Sequence, residues 1–107
     1  MFTRDVVIET VRNYVRRIEA NGVQLRAVIL YGSFAKGTQH ECSDIDVALV
    51  ADEFTGFYFD DAKFIPYMGF KQPYPYSLIE AKTYSTEYFN EGDPFIEEIN
   101  KTGIKII

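Results

Sequence analysis

The chain has 107 residues, of which 47% are hydrophobic and 25% charged, and its formal net charge is −5. This length suits one compact domain spanning residues 1–107, and no apolar run approaches the roughly 18 residues that a membrane-spanning helix needs. The acidity argues against stand-alone binding of duplex nucleic acid and is compatible with carboxylates gathered around a metal, although it more often serves solubility. Cys42 is the single cysteine, so no internal disulfide can form and we expect a cytoplasmic protein.

The first predicted element is a helix over residues 4–20. Apolar residues recur there at intervals of four, three and four, which places them on one helical face: Val7, Val11, Tyr14 and Ile18. Thr3 or Asp5 is suited to capping its start, and the Asn-Gly pair at residues 21–22 is a typical helix end.

Two strands are predicted next, separated by a glycine-serine turn. Residues 25–31, LRAVILY, are apolar and partly β-branched, which favours a strand, and residues 44–51 form the second. Residues 47–50 are apolar at every position, which is typical of a strand covered on both faces. Residues 32–36 are suited to begin a short helix, and residues 38–42 resemble a loop.

An aromatic-rich tract broken by prolines runs from Phe54 to Tyr76. A short helix around residues 60–67 is the one element predicted inside it. We expect these rings to pack the core and cover the sheet. Rings left exposed would mark a docking surface or a dimer face, which leaves a homo-oligomer open.

The C-terminal third predicts a strand over residues 76–84 and a helical turn over residues 86–90. Asp93, with proline directly after it, is a strong start for a helix that runs to about residue 101. Residues 104–107 resemble a closing strand. The order helix, strand, strand, strand, helix, strand predicts an α/β fold with a small β-sheet flanked by helices.

Asp44 and Asp46 are the first candidate functional residues. Side chains alternate along a strand, so these two carboxylates share a face and repel each other unless a cation lies between them. Mg²⁺ prefers carboxylate and phosphate oxygens and usually bridges nucleotide phosphates, and two such ions can clamp an in-line transfer. A lone Asp-x-Asp at the mouth of a strand is more often a solvated backbone cap, so the motif needs support from elsewhere.

Gly32 and Ser33 supply that support because they follow the first strand directly. Glycine lets an anion approach the main chain, and amide groups at a helix start bind phosphate. Ser33 adds a hydroxyl donor and Lys36 a cation one turn later. Taken alone, the segment is equally a tight turn capped by serine. The position of Lys36 before Gly37 excludes a P-loop, and the absence of G-x-G-x-x-G excludes the dinucleotide fingerprint.

Together, the glycine-serine pair and the Asp-x-Asp motif resemble the signature of the DNA polymerase β-like nucleotidyltransferase superfamily. The strings YGSFAKG and SDIDVALV are similar to those of its minimal nucleotidyltransferases, with lysine replacing arginine at position 36. Residues 31–50 carry the resemblance, which extends more weakly over the first helix and the C-terminal segment. It implies a palm-like nucleotidyltransferase fold with a small mixed sheet.

The resemblance also implies a third carboxylate from a later strand, and Glu80 stands where the family has aspartate. We expect Glu80 to be a core residue sharing a face with Leu78, where an unpaired carboxylate would be costly without a metal or a basic partner. The alternative is a strand-edge glutamate that is solvated or paired with Lys82. Asp60 and Asp61 are the fallback candidates.

The implied mechanism transfers AMP from ATP, with two Mg²⁺ ions expected and pyrophosphate as leaving group. Its catalytic and metal-binding residues would be Asp44, Asp46 and Glu80. Its nucleotide-binding residues would be Gly32, Ser33 and Lys36.

The resemblance further implies a HEPN-domain protein as the partner, modified on a hydroxyl group, which would make this chain an antitoxin. One alternative is a catalytically weak nucleotide-sensing or docking module that neutralises the HEPN partner by binding. Another is a phosphotransferase that moves the γ-phosphate with the same metals.

Overall fold

The computed structural model of the protein describes residues 3–38, 44–65 and 73–107. The helices are α1 (Arg4–Ala20), α2 (Ser33–Lys36), α3 (Tyr58–Asp61), α4 (Thr86–Glu91) and α5 (Pro94–Thr102). The strands are β1 (Leu25–Tyr31), β2 (Ile45–Ala51), β3 (Ile79–Ser85) and β4 (Ile104–Lys105). Short 3₁₀ turns cover Ala62–Phe64 and Tyr76–Leu78. Most of the loop predicted at residues 38–42, with Cys42, lies outside the described residues.

The described strands form one mixed sheet in the order β3-β2-β1-β4. β1 is antiparallel to both β2 and β4, whereas β2 and β3 are parallel. This pairing brings the start of β2, the start of β3 and the end of β1 together at one end of the sheet. The sheet with its flanking helices confirms the predicted fold class.

Helices cover both faces of the sheet, which explains the apolar run in β2. Val47 and Leu49 belong to the core cluster that includes α1, whereas Ala48 and Val50 belong to the cluster that includes α5. All four are at most 1% exposed, so the predicted two-sided burial is confirmed. The two faces are called the α1 face and the α5 face below.

Capping residues set the ends of the two longer helices. Thr3 accepts a hydrogen bond from the amide of Val6 at the start of α1, and Asn21 is its C-cap. Asp93 accepts from the amide of Ile96 at 2.7 Å at the start of α5. Both predicted helices are therefore confirmed. In each of them, local capping and apolar spacing agree with the tertiary packing.

The predicted boundaries are corrected in three places. The closing strand expected over residues 104–107 is β4 and ends at Lys105. The helix expected over residues 60–67 is α3 followed by the 3₁₀ turn, and residues 66–72 lie outside the described part of the chain. The strand expected from residue 76 begins at Ile79, because Pro75 starts a turn in which the amide of Leu78 donates to the Pro75 carbonyl at 3.0 Å. Proline cannot donate to a ladder, which delays strand pairing.

Across the described ranges, no helix combines the length and the apolar content that crossing a membrane would require.

Candidate active site

Tyr31, Asp46 and Glu80 lie side by side in one row across three strands. In the sheet register, Asp46 of β2 is opposite Tyr31 of β1 on one side and Glu80 of β3 on the other. Side chains at paired positions point to the same face of a sheet. The side chain of Asp46 points to the same face of β2 as those of Ala48 and Val50. The row therefore lies on the α5 face, at the end of the sheet where β2 and β3 begin.

The Asp46 carboxylate lies in an unneutralised acidic environment. Burial raises its pKa, and the nearby carboxylates of Glu80 and Asp44 raise it further. Within the described part of the chain, none of these three carboxylates forms an ion pair with a basic side chain. Like charges held together without a counter-ion create a place where a cation would bind favourably.

Gly32 connects this acidic row to the glycine-serine turn. Its backbone, at φ 75° and ψ −152°, occupies a region that is essentially restricted to glycine. A Cβ atom here would overlap the Oδ2 atom of Asp46 and lie 3.2 Å from its Cγ. The carboxylate therefore packs directly against the main chain of the turn, and a side chain at position 32 would displace it.

The short helix α2 places Ser33 and Lys36 beside the turn. Phe34 and Ala35 are buried beneath it, and Arg4 donates to the Ala35 carbonyl at 3.1 Å. Ser33 is partly exposed. Ser33 thus follows Gly32 directly in the chain, and Asp46 lies against Gly32 from β2.

Lys36 has a protein partner. Its Nζ lies 3.8 Å from Oε1 of Glu98 on α5, and both side chains are about half exposed. An ion pair this exposed contributes at most about 1 kcal/mol, so a phosphate could compete for the lysine at little cost.

Of the two environments considered for Glu80, the structure shows the solvated position on an edge strand. Glu80 is exposed on the edge strand β3, and Leu78 precedes the strand in a 3₁₀ turn. The expectation of a buried core carboxylate is therefore wrong, and the cost of burying an unpaired carboxylate no longer supports a metal at this position. No ion pair joins Glu80 to Lys82 among the residues that the structure describes. Its connection to the site is its register position beside Asp46.

Asp61, one of the two fallback candidates, has a structural environment instead. It is 0% exposed and accepts hydrogen bonds from the amides of Thr55 and Gly56 at 2.8 and 2.9 Å. The Thr83 hydroxyl donates to it at 2.6 Å, from the α1 side of β3. These bonds tie the segment before α3 to β3. Asp60 is exposed on α3 and takes no part in the row.

Sequence reasoning missed the aromatic side of the site. The rings of Tyr31 and Phe95 meet edge to face, with centroids 5.6 Å apart and planes at 90°. Lys82 lies 4.7 Å from the centroid of Phe95. Burial raises the pKa of Tyr31 to about 12, and Asp46 and Glu80 add to the increase. The available signal was the position of Tyr31 directly before Gly32; nothing local connects it to Phe95.

The carboxylates fit a metal shared with a substrate better than a metal held by the protein alone. No three acidic, histidine or cysteine side chains in residues 3–38, 44–65 and 73–107 form a ready-made metal group. Mg²⁺ commonly binds through one or two carboxylates together with substrate phosphates. Asp46 with Glu80 or Asp44 supplies one or two such carboxylates, next to a turn that carries no side chain at Gly32.

A mixed sheet with an acidic row and a glycine turn at one edge defines an α/β domain suited to phosphate-ester chemistry. Residues 13–107 match the family described as "Polymerase beta, Nucleotidyltransferase". The chain belongs to this family, and the resemblance found in residues 31–50 is confirmed at that level. The matched segment includes all four described strands and both halves of the motif. A search of curated proteins found no match.

Proposed function

We propose that this family member is a minimal nucleotidyltransferase that transfers AMP from ATP to a hydroxyl group of a HEPN-domain protein, and so acts as an antitoxin. The observation that carries the enzymatic part is the pairing of Asp46 with Glu80 in register, directly beside Gly32. The HEPN partner and the antitoxin role rest on the resemblance to minimal nucleotidyltransferases in residues 31–50.

Each residue of the site has a role in this proposal. Asp44, Asp46 and Glu80 would hold Mg²⁺ together with the phosphates of ATP. When bound, the metal supplies positive charge that neutralises the transferred phosphate and its leaving group. The amides at Gly32 and Ser33 would take the β- and γ-phosphates, because the backbone there carries no side chain that blocks an anion.

The reaction is a single displacement at phosphorus. The acceptor oxygen forms a bond to the α-phosphorus of ATP while the bond from that phosphorus to the bridging oxygen breaks, and pyrophosphate leaves. Glu80, which is exposed on the edge strand β3, would accept the proton of the acceptor hydroxyl. Lys36 would exchange Glu98 for a phosphate oxygen.

The experiment uses ATP labelled at the α- or the γ-phosphate, with Mg²⁺ and lysate of the source cell. Wild type is compared with Asp46→Asn and with Asp60→Asn, an exposed aspartate outside the row. A protein band that carries α-label only, absent with Asp46→Asn and retained with Asp60→Asn, is the expected result. Mass spectrometry of that band then identifies the acceptor.

The other outcomes separate the alternatives. Label from the γ-phosphate alone would replace nucleotidyl transfer with phosphoryl transfer. Equal α-labelling by wild type and Asp46→Asn would refute the assigned site. Absence of label with metal-dependent ATP binding would favour the sensing or docking module.

Two exposed phenylalanine rings favour the docking module as a second candidate function. Phe57 and Phe59 are 70% and 91% exposed, and exposed apolar side chains that form a contiguous patch mark interaction sites. A partner that covers them would bind equally well to wild type and to Asp46→Asn, whereas catalysis requires the carboxylate.

A further inference from the structure

The hydroxyl group of Tyr31 is an available donor at the centre of the candidate site. Tyr31 is half-buried, and its hydroxyl forms no hydrogen bond with any described residue. Tyr88, on the same side of the sheet, differs because its hydroxyl donates to Asp93 at 2.6 Å. A donor without a partner among the described residues, beside residues proposed to bind substrate, is suited to contact that substrate.

The position of Tyr31 determines which part of a substrate it could reach. It precedes Gly32 directly and pairs with Asp46 in the register, so it lies between the turn and the acidic row. If the turn takes the β- and γ-phosphates and the row holds the reacting phosphate, the tyrosine lies beside the α-phosphate.

The surroundings hold the ring of Tyr31 in place. Phe95 packs against it edge to face at 5.6 Å, which reduces the conformational entropy lost when the hydroxyl meets a ligand. The phosphate of a nucleotide is repelled by the carboxylates of Asp46 and Glu80. A neutral phenol donates to it without adding charge to the acidic row.

We propose that Tyr31 is a nucleotide-contacting residue whose hydroxyl donates a hydrogen bond to a non-bridging oxygen of the α-phosphate. This assignment rests on the proposed function, because it presumes that the site takes a nucleoside triphosphate. It adds a residue from the end of β1 to the glycine turn and the carboxylates.

The test measures binding by calorimetry with Mg²⁺ and α,β-methylene-ATP, which cannot be cleaved at the α-phosphorus. Tyr31→Phe removes only the hydroxyl and keeps the ring contact with Phe95, so the fold should be retained. We expect the dissociation constant to rise about 10- to 100-fold, the effect of losing one hydrogen bond to a charged acceptor. The matched control is Tyr84→Phe, a tyrosine two rows further along the α5 face, which should bind as wild type does.

A second pair of ligands identifies the phosphate involved. AMP carries only the α-phosphate, whereas pyrophosphate corresponds to the β- and γ-phosphates. Tyr31→Phe should weaken binding of AMP and leave binding of pyrophosphate unchanged. A purely structural role for Tyr31 would weaken both ligands together with thermal stability.

The failures are distinguishable. If wild type binds the analogue and Tyr31→Phe binds it equally well, the assignment of Tyr31 is wrong while the nucleotide site stands. Equal losses in Tyr31→Phe and Tyr84→Phe, or a loss for pyrophosphate as large as for AMP, also overturn the assignment. If wild type binds no nucleotide with Mg²⁺, the proposed function and the role of Tyr31 are both refuted.

Discussion

Substitution of Gly32 by alanine tests the contact between the turn and the acidic row. The backbone at φ 75° and ψ −152° costs a residue other than glycine about 1–3 kcal/mol. In addition, the new Cβ would overlap Oδ2 of Asp46, so the carboxylate must move. Because misplacement of a reacting group by about 1 Å can cost 100-fold in rate, we expect a loss of activity on that scale.

Gly22→Ala is the matched control for this substitution. Gly22 also has a positive φ, 91°, but a Cβ there would have no atom within 4 Å. Urea denaturation should show that both variants lose stability, whereas only Gly32→Ala should lose α-label transfer and binding of Mg²⁺ with nucleotide. Full activity of Gly32→Ala below its unfolding transition, or an equal loss of activity in Gly22→Ala, would refute the reasoning.

Four further predictions address other parts of the molecule. Asp61→Ala should lower the free energy of unfolding by about 2–4 kcal/mol in urea denaturation, because it leaves buried donors unpaired; a smaller change would mean that water replaces the carboxylate. Glu98→Gln should change the free energy of unfolding by less than about 1 kcal/mol. Because it releases Lys36, it should tighten nucleotide binding at low salt, and an unchanged affinity would argue against a phosphate role for this lysine. The pKa of Asp46 is raised in the folded protein, so the folded state binds more protons than the unfolded state, and stability without metal should fall as pH rises above the ordinary pKa of aspartate. Asp46→Asn should remove this pH dependence, and added Mg²⁺ should stabilise wild type only. Burial raises the pKa of Tyr14 above its ordinary value of 10, so stability should fall as pH rises beyond about 10, and a denaturation series in which Tyr14→Phe shows the same slope would contradict this.

Much of the fold follows from local sequence. The first helix could be predicted at residues 4–20, and the structure has it at Arg4–Ala20, because apolar spacing and the Thr3 cap act within one or two turns of the chain. The strand at residues 25–31 was equally predictable, since six of its seven residues are apolar and the segment stands between two turn signals. The candidate motif at residues 32–46 could also be recognised from the sequence, because its residues lie close together in the chain.

The environment of Glu80 could not be predicted, because it depends on which strand becomes the edge of the sheet. An apolar neighbour along the chain, Leu78, indicated a core position, but Leu78 lies in the turn before the strand and β3 is an edge strand, so Glu80 is exposed. Asp61 shows the opposite case. A carboxylate that follows Asp60 directly gives no local sign of burial, yet Asp61 is buried because Thr83 and the amides of Thr55 and Gly56 satisfy its carboxylate.

The sequence by itself determined the two longer helices, the first two strands and the presence of a glycine turn followed by two aspartates, because caps, turns and apolar periodicity act over a few residues. Only the tertiary structure placed Asp46 between Tyr31 and Glu80 and brought Phe95 against Tyr31. Those neighbours are separated by 15 to 64 positions along the chain. Strand order, register and helix packing decide such contacts, and they are properties of the whole core.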